Sequence, residues 1–206
     1  MNIHSKEYLI DEWRYYRKIT NEKLLSAFKQ IPRENFIGDN PASDAYCDHP
    51  LPIGFGQTIS QPTTVMLMLE LLNLESTHTV LEIGGGSGYS AAVMSRLVKE
   101  VVSIEIIPEL VTFANKNLAQ TKISNVMMVN FDGKVGYEKK APYDRIVIAA
   151  AALTVPQALF HQLKVGGVLL APVGDVHCCA MRKFIKRSDN DFDESRHGLF
   201  SFVPLV

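Results

Sequence analysis

A chain of 206 residues, 47% hydrophobic and 21% charged, is long enough to bury one substantial core and is composed as soluble globular proteins are. Its formal net charge of −1 gives no push toward nucleic acid or an anionic membrane surface, and no run approaches the ~20 apolar residues of a membrane-spanning helix. Three cysteines without framework spacing (Cys47, Cys178, Cys179) point to a reduced, cytoplasmic setting, and the six scattered histidines give no reason to expect a metal site.

From residue 5 to 31 the apolar positions fit two helical pieces. Trp13, Tyr16 and Ile19 share one face, Thr20 or Asn21 can cap the second piece, and Pro32 ends it. Residues 33–59 carry no period. An aperiodic stretch of that length, with Tyr46, Pro50, Pro52 and Phe55 in it, reads as an ordered functional loop. Residues 61–72, QPTTVMLMLELL, read as a helix. Beyond Asn73 short apolar strands alternate with helices. Strands are expected over 79–83, 101–105, 126–129, 143–151 and 168–173. Helices are expected over 89–97, over 108–120 with Pro108 in the first turn, and from the fourth strand to Leu163. Further alternating pieces lie near 175–184 and 199–205. This alternation means βαβ units and a mostly parallel sheet. With no repeat and no linker, the expected organisation is one domain over 1–206, with 1–75 as N-terminal helices and loop and 76–206 as the α/β core.

The segment VLEIGGGSGYSAAV places Gly84, Gly86 and Gly88 between the first core strand and its helix. Glycine is required where φ is positive or where a ligand meets the backbone, and ligands of such sheets bind at the carboxyl ends of the strands. A tight turn without a ligand is the plain alternative. Gly86, Gly88 and Ala91 loosely satisfy the dinucleotide pattern. Glu105 closes the second strand 17 residues past Gly88, where a carboxylate can accept both ribose hydroxyls. A nicotinamide cofactor and any other adenosine satisfy these features equally. A Walker loop is absent, because no Gly-Lys-Ser/Thr follows the glycines.

VLEIGGGSGY, SIEIIPEL, FDGKVGYEKKAPYDRIVIAAA and LKVGGVLLAPVG resemble, in order, the motifs of class I S-adenosylmethionine-dependent methyltransferases. AYCDHPLPIGFGQTISQP and the tail FVPLV narrow the resemblance to the protein-L-isoaspartate O-methyltransferase family, over about residues 30–206. The resemblance implies a Rossmann-like, mostly parallel seven-stranded sheet with helices on both faces and an N-terminal helical cover. It implies S-adenosyl-L-methionine as cofactor, S-adenosyl-L-homocysteine as product, and no metal. The implied reaction is methyl transfer to the free carboxylate of L-isoaspartyl residues in damaged proteins and peptides. A monomer is expected because one terminal cover and a loop over the active edge leave no apparent apolar surplus, and the near-zero charge gives no nucleic-acid or membrane partner.

Residue by residue, the resemblance implies that Gly84, Gly86, Ser87 and Gly88 pass the methionine end of the cofactor and that Glu82 lies near its amino group. Glu105 would hold the ribose, with Asp132 and Gly133 flanking the adenine. Thr58, Ile59 and Ser60 match the loop that closes over cofactor and substrate, Ser60 being the active-site serine. Pro52, Ile53, Gly54 and Gln57, with the tail residues Val203, Pro204 and Leu205, would face the peptide. The chain departs from the family pattern at Ile106, where arginine is frequent, at Phe131 for glycine, at Ala149 for threonine, and in a tail lacking Pro-Val-Arg before FVPL.

A carboxylate acceptor is ionised near neutral pH, so the reaction needs alignment and exclusion of water more than a strong base. A Ser60 hydroxyl can orient it; a helix N-cap ahead of Pro62 is the structural alternative for the same residue. Other carboxylate or small-molecule acceptors, a non-catalytic binding protein and an NAD-binding oxidoreductase are the competing readings at this point.

Overall fold

The computed structural model describes residues 5–206, so the first four residues of the expected N-terminal segment lie outside the described residues. Ser5 caps helix α1 (Lys6–Tyr15) by accepting the Tyr8 N–H at 3.1 Å. Asn21 caps α2 (Glu22–Gln30), taking the Lys23 and Leu24 N–H groups on Oδ1, whereas Thr20 donates its hydroxyl to Glu70 at 2.8 Å. Trp13 and Ile19 are buried as the periodicity suggests, but Tyr16 is exposed. The helix stops at Tyr15 and the chain turns through Arg17 at φ 52°, so Ile19 reaches the core from a coil rather than from the helix face.

Residues 33–59 are more regular than their lack of period suggests. They form 3-10 turns over Arg33–Phe36 and Ala42–Asp44, then an antiparallel hairpin of β1 (Leu51–Gly54) and β2 (Gln57–Ile59). Strands of four and three residues are too short to show a two-residue alternation. The tip turns through Gly54, Phe55 and Gly56, all at positive φ.

Helix α3 (Pro62–Leu72) follows at once, with proline in its first turn. Asp48, fourteen residues upstream of Pro62, caps it: Oδ1 accepts the Thr63 N–H at 2.8 Å and Oδ2 accepts the Thr63 hydroxyl at 2.7 Å. Trp13 Nε1 donates to that same hydroxyl oxygen at 2.8 Å, which joins α1, the loop and α3. At the other end Asn73 turns left-handed at φ 48°, and the Arg145 guanidinium donates to the Leu72 and Asn73 carbonyls, where a cation suits the helix dipole.

The core is a seven-stranded sheet in the order β5-β4-β3-β6-β7-β8-β9. Its strands are β3 (Thr79–Ile83), β4 (Glu100–Glu105), β5 (Val126–Asn130), β6 (Tyr143–Ile148), β7 (Leu163–Gly174), β8 (Cys179–Ser188) and β9 (Asp191–Phe200). The first five of these run parallel, and β8 and β9 add an antiparallel meander. Helices α4 (Tyr89–Met94), α5 (Pro108–Gln120) and α6 (Gln157–His161) connect the parallel strands. The fourth strand therefore ends three residues before the expected 151, and its helix is a single short piece. The strand expected over 168–173 is twelve residues long, and the tail strands occupy 179–188 and 191–200.

Successive residues of the parallel strands feed two buried clusters on opposite faces. Val80, Val101, Val147 and Leu170 pack with α1–α4 on one face; Leu81, Val102, Ile146 and Leu169 pack with Tyr143 and Leu159 on the other. The first cluster runs without a break from Leu9 and Trp13 in the N-terminal cover to Met181 in β8. The chain winds outward from β3 to β5 on one side and from β6 to β7 on the other. The strand order thus reverses between β3 and β6, and a crevice opens at their carboxyl ends.

Candidate active site

Three adjoining hollows occupy that crevice. The first is floored by Ile83 and Ile104 and walled by Gly84, Gly86, Glu105, Ile106, Ile107, Gly133 and Ala149. The second lies against Thr58, Ile59, Ser60, Gly84–Ser87, Tyr89, Ser90 and Ala149. The third opens outward between Pro50, Ser60, Gln61, Val176, His177, Phe202, Val203 and Pro204. Thr58 lines all three.

The glycine turn is shaped for close approach. Gly86 sits at φ 52° and points its N–H at Glu105 Oε2, 2.9 Å away. Gly88 sits at φ 84°, and a Cβ there would stand 3.2 Å from Ala114 Cβ, so the turn and α5 can only pack this tightly through glycine. Asn117, buried on α5, fixes the turn from below by donating to the Ser87 carbonyl at 3.0 Å.

Two carboxylates lie under this turn. Glu105 is 6% exposed and accepts the Gly86 N–H on one oxygen and the Ile107 N–H on the other, at 2.9 and 3.0 Å. Each oxygen keeps a further lone pair toward the first hollow. Glu82 is wholly buried. Ser103 donates to its Oε2 at 2.6 Å, while Oε1 has no hydrogen-bond partner. Burial pushes its carboxyl up to about 7, against the pull of the Ser103 and Ser90 hydroxyls and with the Glu105 charge adding to the rise.

The other side of the crevice comes from the hairpin and the tail. Ile53 stands over the glycine turn, its Cδ1 3.4 Å from where a Gly86 side chain would begin. The tail docks beside β6: Ala151 N–H donates to the Val203 carbonyl at 2.7 Å and Leu205 N–H to the Ala151 carbonyl at 2.8 Å. Ser60 lies in neither helix nor strand, between β2 and α3. It does not cap α3, because Asp48 performs that role and no side chain at the N-cap position bonds the helix.

The structure thus places Thr58, Gly84, Gly86, Glu105 and Gly133 on the first hollow and Thr58, Ile59, Ser60, Gly84, Gly86 and Ser87 on the second. Gly88 serves as the N-cap of α4, behind the wall. Asp132 is exposed, and its Oδ1 accepts the Lys134 N–H at 2.8 Å instead of facing the hollow. Gln57, Val203, Pro204 and Leu205 line the first hollow; Val203 and Pro204 also line the third. Pro52, Ile53 and Gly54 belong to strand β1 of the hairpin and line none of the three hollows, though Ile53 reaches the glycine turn at Gly86. Among the departures, Ile106 and Ala149 are wall residues, and Phe131 stands next to the wall with its N–H on the Glu105 carbonyl. Sequence reasoning missed Tyr89, Ser90, Val176, His177 and Phe202. The only available signal was their adjacency to the glycine turn or to the tail.

The family model for protein-L-isoaspartate(D-aspartate) O-methyltransferase matches residues 4–206. A protein-L-isoaspartate O-methyltransferase of Methanopyrus kandleri is 42% identical over 98% of this chain and 91% of its own length. Protein-L-isoaspartate O-methyltransferase 2 of Marinobacter nauticus is 46% identical over 92% of this chain and 87% of its own. A solved protein-L-isoaspartate O-methyltransferase superposes with a TM-score of 0.87 at 31% identity, covering 97% of this chain and 65% of that one. A candidate enzyme of the same description from Plasmodium falciparum, crystallised with S-adenosyl-L-homocysteine, shares the fold at a TM-score of 0.85 and 23% identity, with 98% of each chain covered.

Proposed function

Because this chain belongs to the protein-L-isoaspartate O-methyltransferase family, we propose that it transfers a methyl group from S-adenosyl-L-methionine to the free carboxylate of L-isoaspartyl residues in damaged proteins and peptides. The observation that carries the reading is the convergence at Thr58. A hollow with a carboxylate and isoleucine side chains in its wall, a serine-bearing loop and an open groove along the tail meet there as one crevice.

The residues fit the cofactor. Glu105 has lone pairs left for two ribose hydroxyls, and Ile83, Ile104, Ile106 and Ile107 offer apolar surface beside them for a purine. Glu82 lines none of the hollows, but its carboxyl, sealed directly beneath the turn, would favour a cationic amino group bound above it through charge. When bound, the cofactor would supply a sulfonium methyl open to direct attack by a carboxylate oxygen, with neutral S-adenosyl-L-homocysteine as the leaving group.

The rest falls to the chain. Ser60 donates its hydroxyl to the acceptor carboxylate and sets its approach, and a single neutral donor leaves the nucleophile strong. Ile59, 5% exposed, closes the site against water from the hairpin side. Val203 and Pro204 with Gln57 offer the peptide its groove. Residues 5–206 act as a single domain in this reading, supported by the buried cluster that joins the cover to the sheet. A cytoplasmic monomer without membrane or nucleic-acid partners belongs to the same reading. It is supported by the net charge of −1 and by free Cys47, Cys178 and Cys179; among the described residues no helix is long and apolar enough to cross a membrane.

The test is transfer of labelled methyl to an isoaspartyl peptide beside its aspartyl twin, with Ser60→Ala assayed in parallel. Transfer to the isoaspartyl peptide alone is expected. Ser60→Ala should lower turnover at saturating cofactor and peptide while leaving cofactor affinity within a few-fold, the pattern of a contact made in the transition state. Equal labelling of both peptides would sink the substrate assignment.

A further inference from the structure

Arg33 has a side chain that the chemistry described so far leaves unused. It sits on the 3-10 turn after Pro32 and is 0% exposed. No carboxylate is paired with it among the described ion pairs. Its guanidinium instead spans three parts of the molecule. Nε donates to the Ala45 carbonyl at 2.8 Å, Nη2 donates to the Ser60 carbonyl at 2.9 Å, and Cζ stands over the Tyr89 ring 4.9 Å from its centre. Tyr89 is the first residue of α4, directly after the glycine turn, and shares the second hollow with Ser60. Nη1 has no partner, and burial lowers the pKa of the group.

A buried guanidinium with no salt-bridge partner, helped only by the more distant Asp48 charge, is an expensive way to fill space, and an apolar side chain of similar size would serve a merely structural purpose at least as well. What the guanidinium supplies is a rigid fork that holds two carbonyls and one aromatic face at fixed separations. One of those carbonyls belongs to Ser60, at the junction between β2 and α3 and part of neither. The aromatic face belongs to the element that carries the cofactor-facing turn.

We infer that Arg33 is a positioning residue for methyl transfer, setting the Ser60 loop in register with the glycine turn so that acceptor and methyl donor are aligned. Arg33 touches neither reactant and acts through Ser60; the inference therefore rests on the Ser60 reading above.

The experiment compares Arg33→Lys, Arg33→Met, Ser60→Ala and Arg33→Lys/Ser60→Ala. Each is measured for turnover on an isoaspartyl peptide, for S-adenosyl-L-homocysteine affinity and for unfolding midpoint. Lysine keeps the charge but cannot hold both carbonyls, and methionine keeps much of the volume without the charge. Turnover should fall at least about tenfold in both Arg33 variants, with affinity changed by no more than about twofold. The double variant should be no slower than Ser60→Ala alone, because the two residues act as one unit. Should lysine fail to give a folded protein, the methionine variant and its Ser60→Ala double carry the same test. Parent-like turnover in a folded Arg33 variant would overturn the inference. So would a full additional loss in the double variant, or a fall in affinity equal to the fall in turnover. Parent-like turnover of Ser60→Ala alone would remove the serine's role and the inference with it, and the single variant tells that failure apart from the others.

Discussion

Glu82 and Glu105 end neighbouring strands under one glycine turn, yet their surroundings set them to different tasks. Glu105 is held by two backbone N–H groups and faces the hollow. Glu82 is sealed beneath it with one oxygen unpartnered and its carboxyl pushed up from 4.5 to about 7. A raised folded value means that the fold favours the protonated form. Stability from this group is therefore complete below about pH 4.5 and is lost as pH climbs through about 7. The unfolding midpoint of the parent should fall more steeply between about pH 5 and about pH 8 than that of Glu82→Gln; parallel slopes would discard the argument. A cationic amino group bound above the turn would draw the proton off through its charge. Binding of S-adenosyl-L-homocysteine just below neutral pH should then release a proton, visible by calorimetry in two buffers of different ionisation heat, and Glu82→Gln should abolish the release. For Glu105→Ala we expect cofactor affinity to drop by roughly 1.5–3 kcal/mol for each charge-assisted bond lost. Because the same carboxylate holds Gly86 and Ile107, the unfolding midpoint should drop as well, and an unchanged dissociation constant would remove the ribose assignment. Glu105 was legible because an acid at the end of an apolar strand is conspicuous. Arg33 was not, since nothing in the run IPRENF tells a buried cation from a solvated one.

Helix α3 follows the serine-bearing loop directly, so its first turn fixes where that loop ends. The cap comes from Asp48, across the whole hairpin, and this separates two roles that sequence alone assigns to one residue. Asp48→Ala should cost about 1 kcal/mol through the lost cap, within a range of about 0.5–2. For a chain of this size that lowers the melting midpoint by about 2–4 °C. Ser60→Ala should leave the midpoint within about 1 °C of the parent, and a matching loss in both variants would return the capping role to the serine. The helices and parallel strands were legible because each carries a strong period or an unbroken apolar run. The hairpin was not, because three or four residues a side cannot establish a period and its turn uses Phe55 at positive φ. The outer strands β8 and β9 were placed several residues off. Only β9 is an edge strand, and its mostly polar run DFDESRHGLF carries no alternation to mark it, while charged residues break the apolar pattern of β8 beside it.

At the scale of the whole chain, the cover over residues 5–31 and the sheet share one buried cluster, so the two should unfold together in a single transition. Saturating S-adenosyl-L-homocysteine should raise that midpoint with the logarithm of its concentration, as for any ligand of the native state alone. The mostly parallel architecture was readable from the βαβ rhythm. The joining of cover to crevice was not, since it rests on contacts fifty residues apart, such as Trp13 to Thr63. That contact also gives the molecule an optical handle. Trp13 is the one tryptophan in the sequence, it is 0% exposed, and it packs edge-on against Phe28 with its indole N–H on Thr63. Its emission should be blue-shifted while the cover is seated and should move to the red when the cover lifts. Fluorescence from a single native residue, recorded beside circular dichroism of the sheet, can therefore report whether the roof of the active-site loop detaches before the sheet beneath it melts.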